Sequence, residues 1–568
     1  MRLIVKLRTL FCAPLVCSLA LVAGQVKGPP ASTTAITEIP HLRKQGTATQ
    51  MIVDGKPFLL LAGELGNNTP SSLEYMKSVW PTLIKTKLNS ALAAVSWAQI
   101  EPQEGKFDFS ALDGVIQGAR ANNLRLVLLW FGSWKNGEST YAPDWVKRDF
   151  KRFPRTQRAE GESAEVLSPF SDANRDADAR AFAALMRHVK AVDGRQHTVI
   201  MIQVENEIET CDRSPAARTA YEGQAPKELM DFLQAHKDAL VPELRQAWEA
   251  AGSTTSGTWE EVFGHSAAAG EISMGWAFAR YVGRVAEAGK AEYPIPMYVN
   301  SPGSGFRKGQ PPACPCGGAP MPDLIDVWRA GAPKIDIYSP DIYGGDYPLM
   351  CARYTRSGNP LFIPEMRGFP PNNMAARILY AFGRHDAIGT SLMGVERPPA
   401  PDIELTSAYD VIRQLAPLIS AHQGDGTMSA VTLAAGDPPQ KIKVGTWTLE
   451  ASFVMPRTQP PAPPPPTPVW NAAAIFIQTG PEEFYAAGAG VNVRFTPNTP
   501  GPPLAGLATV EEGVFVNGRW VPGRRMAGDD TGSRSLVLPR LHDEPTEHPA
   551  VFGPSQKGIQ RVTLYRFE

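Results

Sequence analysis

Short apolar runs recur along the first three quarters of the chain, and each closes on polar or acidic residues. Residues 58–64, 89–95 and 124–130 are the first three, and 199–202 is the fourth, ending in Gln203, Glu205, Asn206, Glu207 and Glu209. Residues 296–300, 335–343, 361–365 and 387–395 complete a set of eight. Their length and residue types are those of buried strands. Between them the apolar positions shift to helical spacing. Leu73, Met76, Val79, Trp80, Leu83 and Ile84 share one face, as do Phe182, Leu185, Met186, Val189 and Val192. Further helical stretches are expected over 226–251 and 272–288. Strands buried on both faces and alternating with helices form a parallel sheet, and eight such units predict a (β/α)8 TIM barrel over residues 45–423. A long insertion between the fourth and fifth strands accounts for the barrel's length.

After residue 424 the helical spacing stops. Gly, Pro and Thr separate short alternating runs at 441–452, 473–479, 491–495, 513–520 and 560–567, which predict a C-terminal antiparallel, sandwich-like β-domain over 424–568. The proline-dense stretch 456–468 reads as an extended loop within it. Ahead of the barrel, Asp54-Gly55 marks a tight hairpin turn, and residues 25–44 form a polar arm. Residues 1–24 have the pattern of an export signal: Arg2, Lys6 and Arg8 precede an apolar stretch from 11 to 23, with Ala23-Gly24 as a cleavage site. Cys17 raises the question of a lipid anchor, but the large Val16 before it is a poor context. The expectation is a periplasmic or secreted protein with no membrane association after cleavage.

Composition narrows the function. At 568 residues the chain exceeds a single core, and 56 basic against 57 acidic side chains give no electrostatic footprint for nucleic acid. Nine of the 12 tryptophans precede residue 424; indoles near strand ends suit stacking on sugar rings, although core packing accounts for many. Cleavage would leave Cys211, Cys314, Cys316 and Cys351. Four cysteines in an exported protein permit two disulfides, in any of three connectivities. No His sits at ligand spacing near them, and the pattern calls for no metal and no cofactor.

The candidate chemistry lies at two strand ends. Glu207 follows the fourth strand and Glu365 ends the seventh, so both face the C-terminal mouth of the barrel, where barrel enzymes place their sites. Two carboxyls about 5 Å apart across a glycosidic bond can perform retaining hydrolysis, one as acid/base and one as nucleophile. Arg367 or a nearby Tyr is expected to keep Glu365 ionised.

The ordered set of motifs resembles clan A glycoside hydrolases, and within them family 35, the bacterial β-galactosidases with an appended β-domain. The resemblance is carried by Gly63-Glu64, Trp97 with Glu101-Pro102, Gly105-Lys106-Phe107-Asp108-Phe109, the run from Leu128 through Trp134-Lys135-Asn136-Gly137, Gln203-Val204-Glu205-Asn206-Glu207, and Pro340-Asp341-Ile342-Tyr343. It implies that Glu207 is the acid/base and Glu365 the nucleophile. It also implies that Asn206 binds the sugar 2-hydroxyl and that Tyr343 bonds the nucleophile. Glu64, Trp130, Asn136 and Glu205 would line the galactose subsite, with Glu205 also readable as a structural carboxylate. Gly66, where many members carry His, and the Gly-rich loop from Asn300 to Phe306 depart from the family pattern. The implied substrate is a terminal β-galactoside of an oligosaccharide or polysaccharide, such as xyloglucan side chains. The alternatives are another clan A β-glycosidase, namely a β-glucosidase or endo-glucanase, or a non-catalytic carbohydrate-binding barrel.

Overall fold

The computed structural model describes residues 38–302, 316–367, 374–397, 403–454, 470–528, 531, 534–538 and 558–568. The expected export signal and the proline-dense stretch 456–468 lie outside these residues, as does most of the Gly-rich loop after the fifth strand. Eight parallel strands close into a barrel: β1 (Leu60–Glu64), β2 (Ser90–Ser96), β3 (Arg125–Lys135), β4 (Val199–Asn206), β5 (Met297–Ser301), β6 (Ile337–Ile342), β7 (Phe362–Met366) and β8 (Gly389–Met393). They follow one another around the barrel in chain order, β8 pairing with β1. The helices that return the chain are α1 (Leu73–Lys85), α2 (Ser110–Ala121), α3 (Asp172–Asp193), α4 (Ala267–Glu292), α5 (Ile325–Gly331), α6 (Tyr347–Tyr354), α7 (Met374–His385) and α8 (Ile403–His422).

The strand runs contain no polar stripe because each strand is covered on both faces. Leu60, Ala62, Leu92, Val127, Leu129, Phe131, Met201, Ile337 and Phe362 fill the barrel interior. Leu61, Ala91, Leu126, Leu128, Ile202 and Val204 pack outward against the helices. The barrel floor is closed by the expected N-terminal hairpin, whose Met51 and Val53 join the interior cluster. Val53 pairs with Lys56 across Asp54-Gly55. Both turn residues have positive φ, the geometry for which Asp-Gly is suited.

The insertion after β4 is not one helix over 226–251. It is a set of short helices, Pro215–Glu222, Lys227–His236, Pro242–Ala250 and Trp259–Phe263. Pro226 and Pro242 each fit only at a helix start, so the long apolar period divides there.

The C-terminal part contains a six-stranded and a four-stranded antiparallel sheet. The expected strand over 441–452 is a hairpin, Gln440–Val444 and Trp447–Phe453, turned at Gly445. Alternation assigns the two faces of the larger sheet. Ala430, Ala473, Ile475 and Ile477 join the core shared with the barrel helices, while Val431, Ala472, Ala474 and Phe476 pack in the second core between the sheets. Gly383 on α7 lets the sheet approach closely, since a Cβ there would meet Ala430 at 2.7 Å and Ile475 at 2.8 Å. A sheet covered on both sides stays bonded to the barrel by apolar burial.

The cysteine expectation needs correction. Cys211 is disulfide-bonded, and Cys316 stands opposite it in a two-stranded pairing. Cys351, on α6, is a free thiol buried in the core, and burial pushes its ionisation up to about 12. The four cysteines therefore do not form two bridges.

Candidate active site

Strand register brings the acids together. Asp341 of β6 lies beside Glu365 of β7, and Lys135 of β3 lies beside Asn206 of β4. One carboxyl oxygen each from Glu207, Asp341 and Glu365 lies within 4.8 Å of the others. Glu365 accepts hydrogen bonds from Tyr343 Oη at 2.6 Å, Asn206 Nδ2 at 3.2 Å and Asn300 Nδ2 at 3.3 Å. Burial and the neighbouring Glu365 raise the Tyr343 hydroxyl far above its ordinary range, so it stays protonated and donates. Three donors thus converge on this one carboxyl. Tyr343, rather than Arg367, supplies the bond expected at Glu365.

Glu207 differs. It is half-buried, and burial, followed by the charge of Glu365, raises its pKa, while Lys135 and a hydrogen bond with Asp341 act the other way. A carboxyl raised by desolvation beside one that accepts three hydrogen bonds offers the two different environments that an acid and a nucleophile need. Asn300 ties the two halves together. Its Oδ1 accepts from the Glu207 backbone N–H at 3.0 Å, and its Nδ2 donates to Asp341 Oδ2 at 2.8 Å. The three carboxyl oxygens have the spacing of a hard-cation site, but Tyr343, Asn206 and Asn300 already direct N–H and O–H donors at Glu365 and Asp341. That donor set fits proton sharing better than metal ligation.

The backbone at this corner is unusual. Glu205 has φ +62° and Glu207 φ +46°, the left-handed region for two non-glycine residues that flank Asn206. Met201 faces inward and Val204 outward, so strict alternation would turn Asn206 away from the mouth. The left-handed step at Glu205 reverses the order. Asn206 faces Glu365, and Glu205 turns into the layer between strands and helices.

Glu205 and Trp130, expected in the subsite, therefore do not line it. Glu205 is fully buried and accepts from the backbone N–H of Ser133 at 3.1 Å and Trp134 at 2.7 Å. Its carboxyl is hydrogen-bonded with Asp178 of α3, and burial plus the Asp178 charge raise it well above the ordinary range. Trp130 packs outward with its Nε1 donated to Asp178 Oδ1 at 2.9 Å. The reason is that β3 continues to Lys135, so Trp130 lies mid-strand between inward-facing Leu129 and Phe131. Trp97 and Trp134 are likewise core residues.

Four of the expected residues do reach the site or its rim. Asn206 and Tyr343 bond Glu365. Glu64 ends β1 at 0% exposure with both oxygens unbonded by described protein groups, and burial together with the Glu365 charge raises its pKa well above the ordinary range. Asn136 lies at the exposed rim, where its Oδ1 accepts from Lys135 Nζ at 2.5 Å. Lys135, Asn300 and Asp341 are the additions. Lys135 Nζ donates to Asn206 Oδ1 at 2.8 Å, which fixes the amide so that its N–H points at Glu365. All three stand at strand ends, which is the signal that could have identified them.

A family model described as Beta-galactosidase, of glycoside hydrolase family 42, matches residues 76–275, which include Glu207 but not Glu365. A model described as a domain of unknown function, DUF5597, matches residues 405–537. The resemblance to family 35 finds no support among these matches. A "Beta-galactosidase" of Xanthomonas manihotis is 34% identical over 120 residues, covering 20% of this chain and 18% of that protein. The chain thus aligns with less than a fifth of that relative's length. Among solved structures, the β-galactosidase of Bacillus circulans sp. alkalophilus matches at 16% identity and TM-score 0.41, over 64% of this chain and 57% of the other. The catalytic domain of a β-amylase from Paenibacillus polymyxa matches at 11% identity and TM-score 0.43, over 59% and 92%.

Proposed function

We propose that this protein is a β-galactosidase-type glycoside hydrolase that acts with retention of anomeric configuration. The observation that carries the reading is the spacing of Glu207 and Glu365, oxygens within 4.8 Å across the barrel mouth. Retaining pairs sit about 5–5.5 Å apart, whereas inverting pairs need about 6.5–9.5 Å to admit a water. Glu207, raised by burial, protonates the leaving oxygen. Glu365, held as an anion by Tyr343, Asn206 and Asn300, attacks the anomeric carbon. Glu207 then removes a proton from the water that releases the sugar. Glu64, buried with unbonded oxygens, gains most from sugar hydroxyls, because an unpaired buried carboxyl is costly until a donor arrives.

The match of residues 76–275 to the Beta-galactosidase model supports galactose as the sugar. The substrate proposed is a terminal β-galactoside of an oligosaccharide or of a plant cell-wall side chain of the xyloglucan type. The N-terminal pattern supports action outside the cytoplasm, which N-terminal sequencing of the protein recovered from culture would test. The main test is a panel of aryl β-glycosides, with product anomers followed by NMR. Hydrolysis of the galactoside with retained configuration, lost in both Glu207→Gln and Glu365→Gln, is expected. A preference for the glucoside would reassign the sugar, binding without turnover would leave a carbohydrate-binding barrel, and inverted product would refute the mechanism.

A further inference from the structure

Asp341 is a third carboxyl at the reacting centre, and the mechanism above gives it no task. It is 5% exposed. Its Oδ2 accepts from Asn300, while its Oδ1 has no donor among the described protein groups. One of its oxygens lies within 4.8 Å of an oxygen of Glu207 and of Glu365, its residue pairs with Glu365 in strand register, and its carboxyl is hydrogen-bonded with that of Glu207. Two carboxyls can share a hydrogen bond only if one carries a proton.

The charged and titratable groups around Asp341 supply no counter-ion. Glu207, Glu365 and Glu64 face it from β4, β7 and β1. Tyr298 of β5, Tyr354 of α6 and Tyr343 after β6 face it as neutral phenols. Lys135 is bonded to Asn206 and Asn136. Arg353, which shares the cleft beside Asp341, pairs with Asp323 and Glu243. Three carboxylates this close and this dry cannot all ionise.

We propose that Asp341 is a neutral carboxyl that donates its proton to a hydrogen bond with Glu207, so that the three acids carry one negative charge through both halves of the reaction. The inference rests on the glycosidase reading for its catalytic meaning. Before reaction Glu365 holds the charge, and Glu207 and Asp341 each hold a proton. When the Glu207 proton passes to the leaving oxygen and Glu365 becomes an ester, the charge moves to Glu207. There the Asp341 O–H stabilises it. Water then returns a proton to Glu207, the ester bond to Glu365 breaks, and the charge returns to Glu365. Asp341 keeps its own proton throughout, which makes it a positioning residue and not an acid or base of the reaction. Burial and the charges of Glu365 and Glu207 raise its pKa well above the ordinary range, in keeping with this.

The test has two arms, pH profiles of kcat/KM on an aryl β-galactoside and difference infrared spectra without substrate. Asp341→Asn keeps a neutral but weaker donor, and a loss of several-fold, under about tenfold, is expected with both limbs of the profile in place. Asp341→Ala has no donor, and a loss of about 100-fold is expected. Were Asp341 ionised, the Asn variant would remove a negative charge beside Glu207 and its basic limb would fall by about a unit or more. That shift, or equal losses in the two variants, overturns the proposal. The spectrum of the wild type minus Asp341→Asn should contain the carbonyl band of a protonated carboxylic acid at neutral pH. Absence of the band overturns the proposal whatever the activity. Its presence in a protein that hydrolyses no glycoside refutes the proposed function instead and upholds a neutral Asp341.

Discussion

Glu205→Gln and Asp178→Asn are isosteric changes in one buried pocket, yet they should differ in their cost to stability and in its pH dependence. Asp178 accepts from Trp130 Nε1 at 2.9 Å, Ser133 Oγ at 2.6 Å and the Ser133 N–H at 3.2 Å. Glu205 accepts only from two backbone N–H groups, and the Asp178 charge lies against it. The pair therefore keeps its proton on Glu205, which donates to Asp178. Gln at 205 reproduces that donor and still accepts from Trp134, so it costs about 1 kcal/mol or less at pH 5. Asn at 178 must aim an N–H at another N–H or at Ser133, and it removes a charge-assisted acceptor, a loss of about 2–4 kcal/mol.

The pH dependence gives the sign. Glu205 keeps its proton in the folded state at pH values where it has lost it in the unfolded chain. The folded form then binds more protons, and stability falls as pH rises above the ordinary carboxyl range toward the raised folded value. One proton is worth about 1.4 kcal/mol per pH unit over the window in which only the unfolded chain has lost it. Gln at 205 lacks this slope and should gain on the wild type steadily as pH rises through that window. Glu64 and Asp341 contribute slopes of the same sign, but they are common to both proteins and cancel in the comparison. Unfolding of the wild type and both variants at pH 5, 6, 7 and 8 measures the effect. Parallel wild-type and Glu205→Gln curves, or equal losses in the two variants, would refute the assignment of the proton.

Three further outcomes follow from the site. Lys135→Met frees the Asn206 amide and removes the cation that lowers Glu207, so activity should fall about 10- to 100-fold and the basic limb of kcat/KM should move to higher pH. Tyr343→Phe removes the 2.6 Å bond to Glu365, and a drop in kcat/KM of about 10- to 100-fold on an aryl galactoside is expected with the fold intact by circular dichroism. Gly132→Ala would place a Cβ 2.3 Å from Trp130 Nε1 and 2.5 Å from Glu205 Oε1, and a loss of about 2–3 kcal/mol should appear in thermal unfolding.

The barrel was legible because parallel strands buried on both faces leave unbroken apolar runs, and the fourth and seventh runs lead directly into the acids that their strands deliver to the mouth. Glu207 and Glu365 could be read as a pair on that ground alone. What misled was parity. Trp130 looks like a residue at a strand's end until β3 is seen to continue for five more residues, through Lys135. Glu205 looks like a member of the cleft until its left-handed φ turns it outward, and no residue type marks that turn, since Glu is not a usual occupant of positive φ. Asp341 and Asn300 lie at strand ends where local sequence gives them no distinct task. Their roles depend on β5 and β6 lying next to β7, which is a property of barrel order and not of local pattern. Cys351 illustrates the same limit, because an even cysteine count says nothing about a thiol buried inside a helix layer.

The two left-handed residues explain why the acidic stretch of β4 works as three separate parts. A regular strand would place Glu205 and Glu207 on one face and Asn206 on the other. Here each of the three side chains has its own partner: Asp178 with Ser133 and Trp134 for Glu205, Glu365 and Lys135 for Asn206, and Asp341 for Glu207, whose backbone N–H is held by Asn300. Each left-handed non-glycine costs about 1–3 kcal/mol, which the surrounding hydrogen bonds must offset. Those bonds come from β3, β5, β6, β7 and α3, so the strain can be held only when the barrel is closed. Residues other than the two paired acids, Asp178 and Asn300 among them, therefore determine whether Glu207 faces Glu365 at all. Stability and the geometry of the acid pair are coupled at this corner by construction, and a change that relaxes Glu205 into an ordinary strand conformation would be expected to stabilise the backbone locally while turning Asn206 away from Glu365.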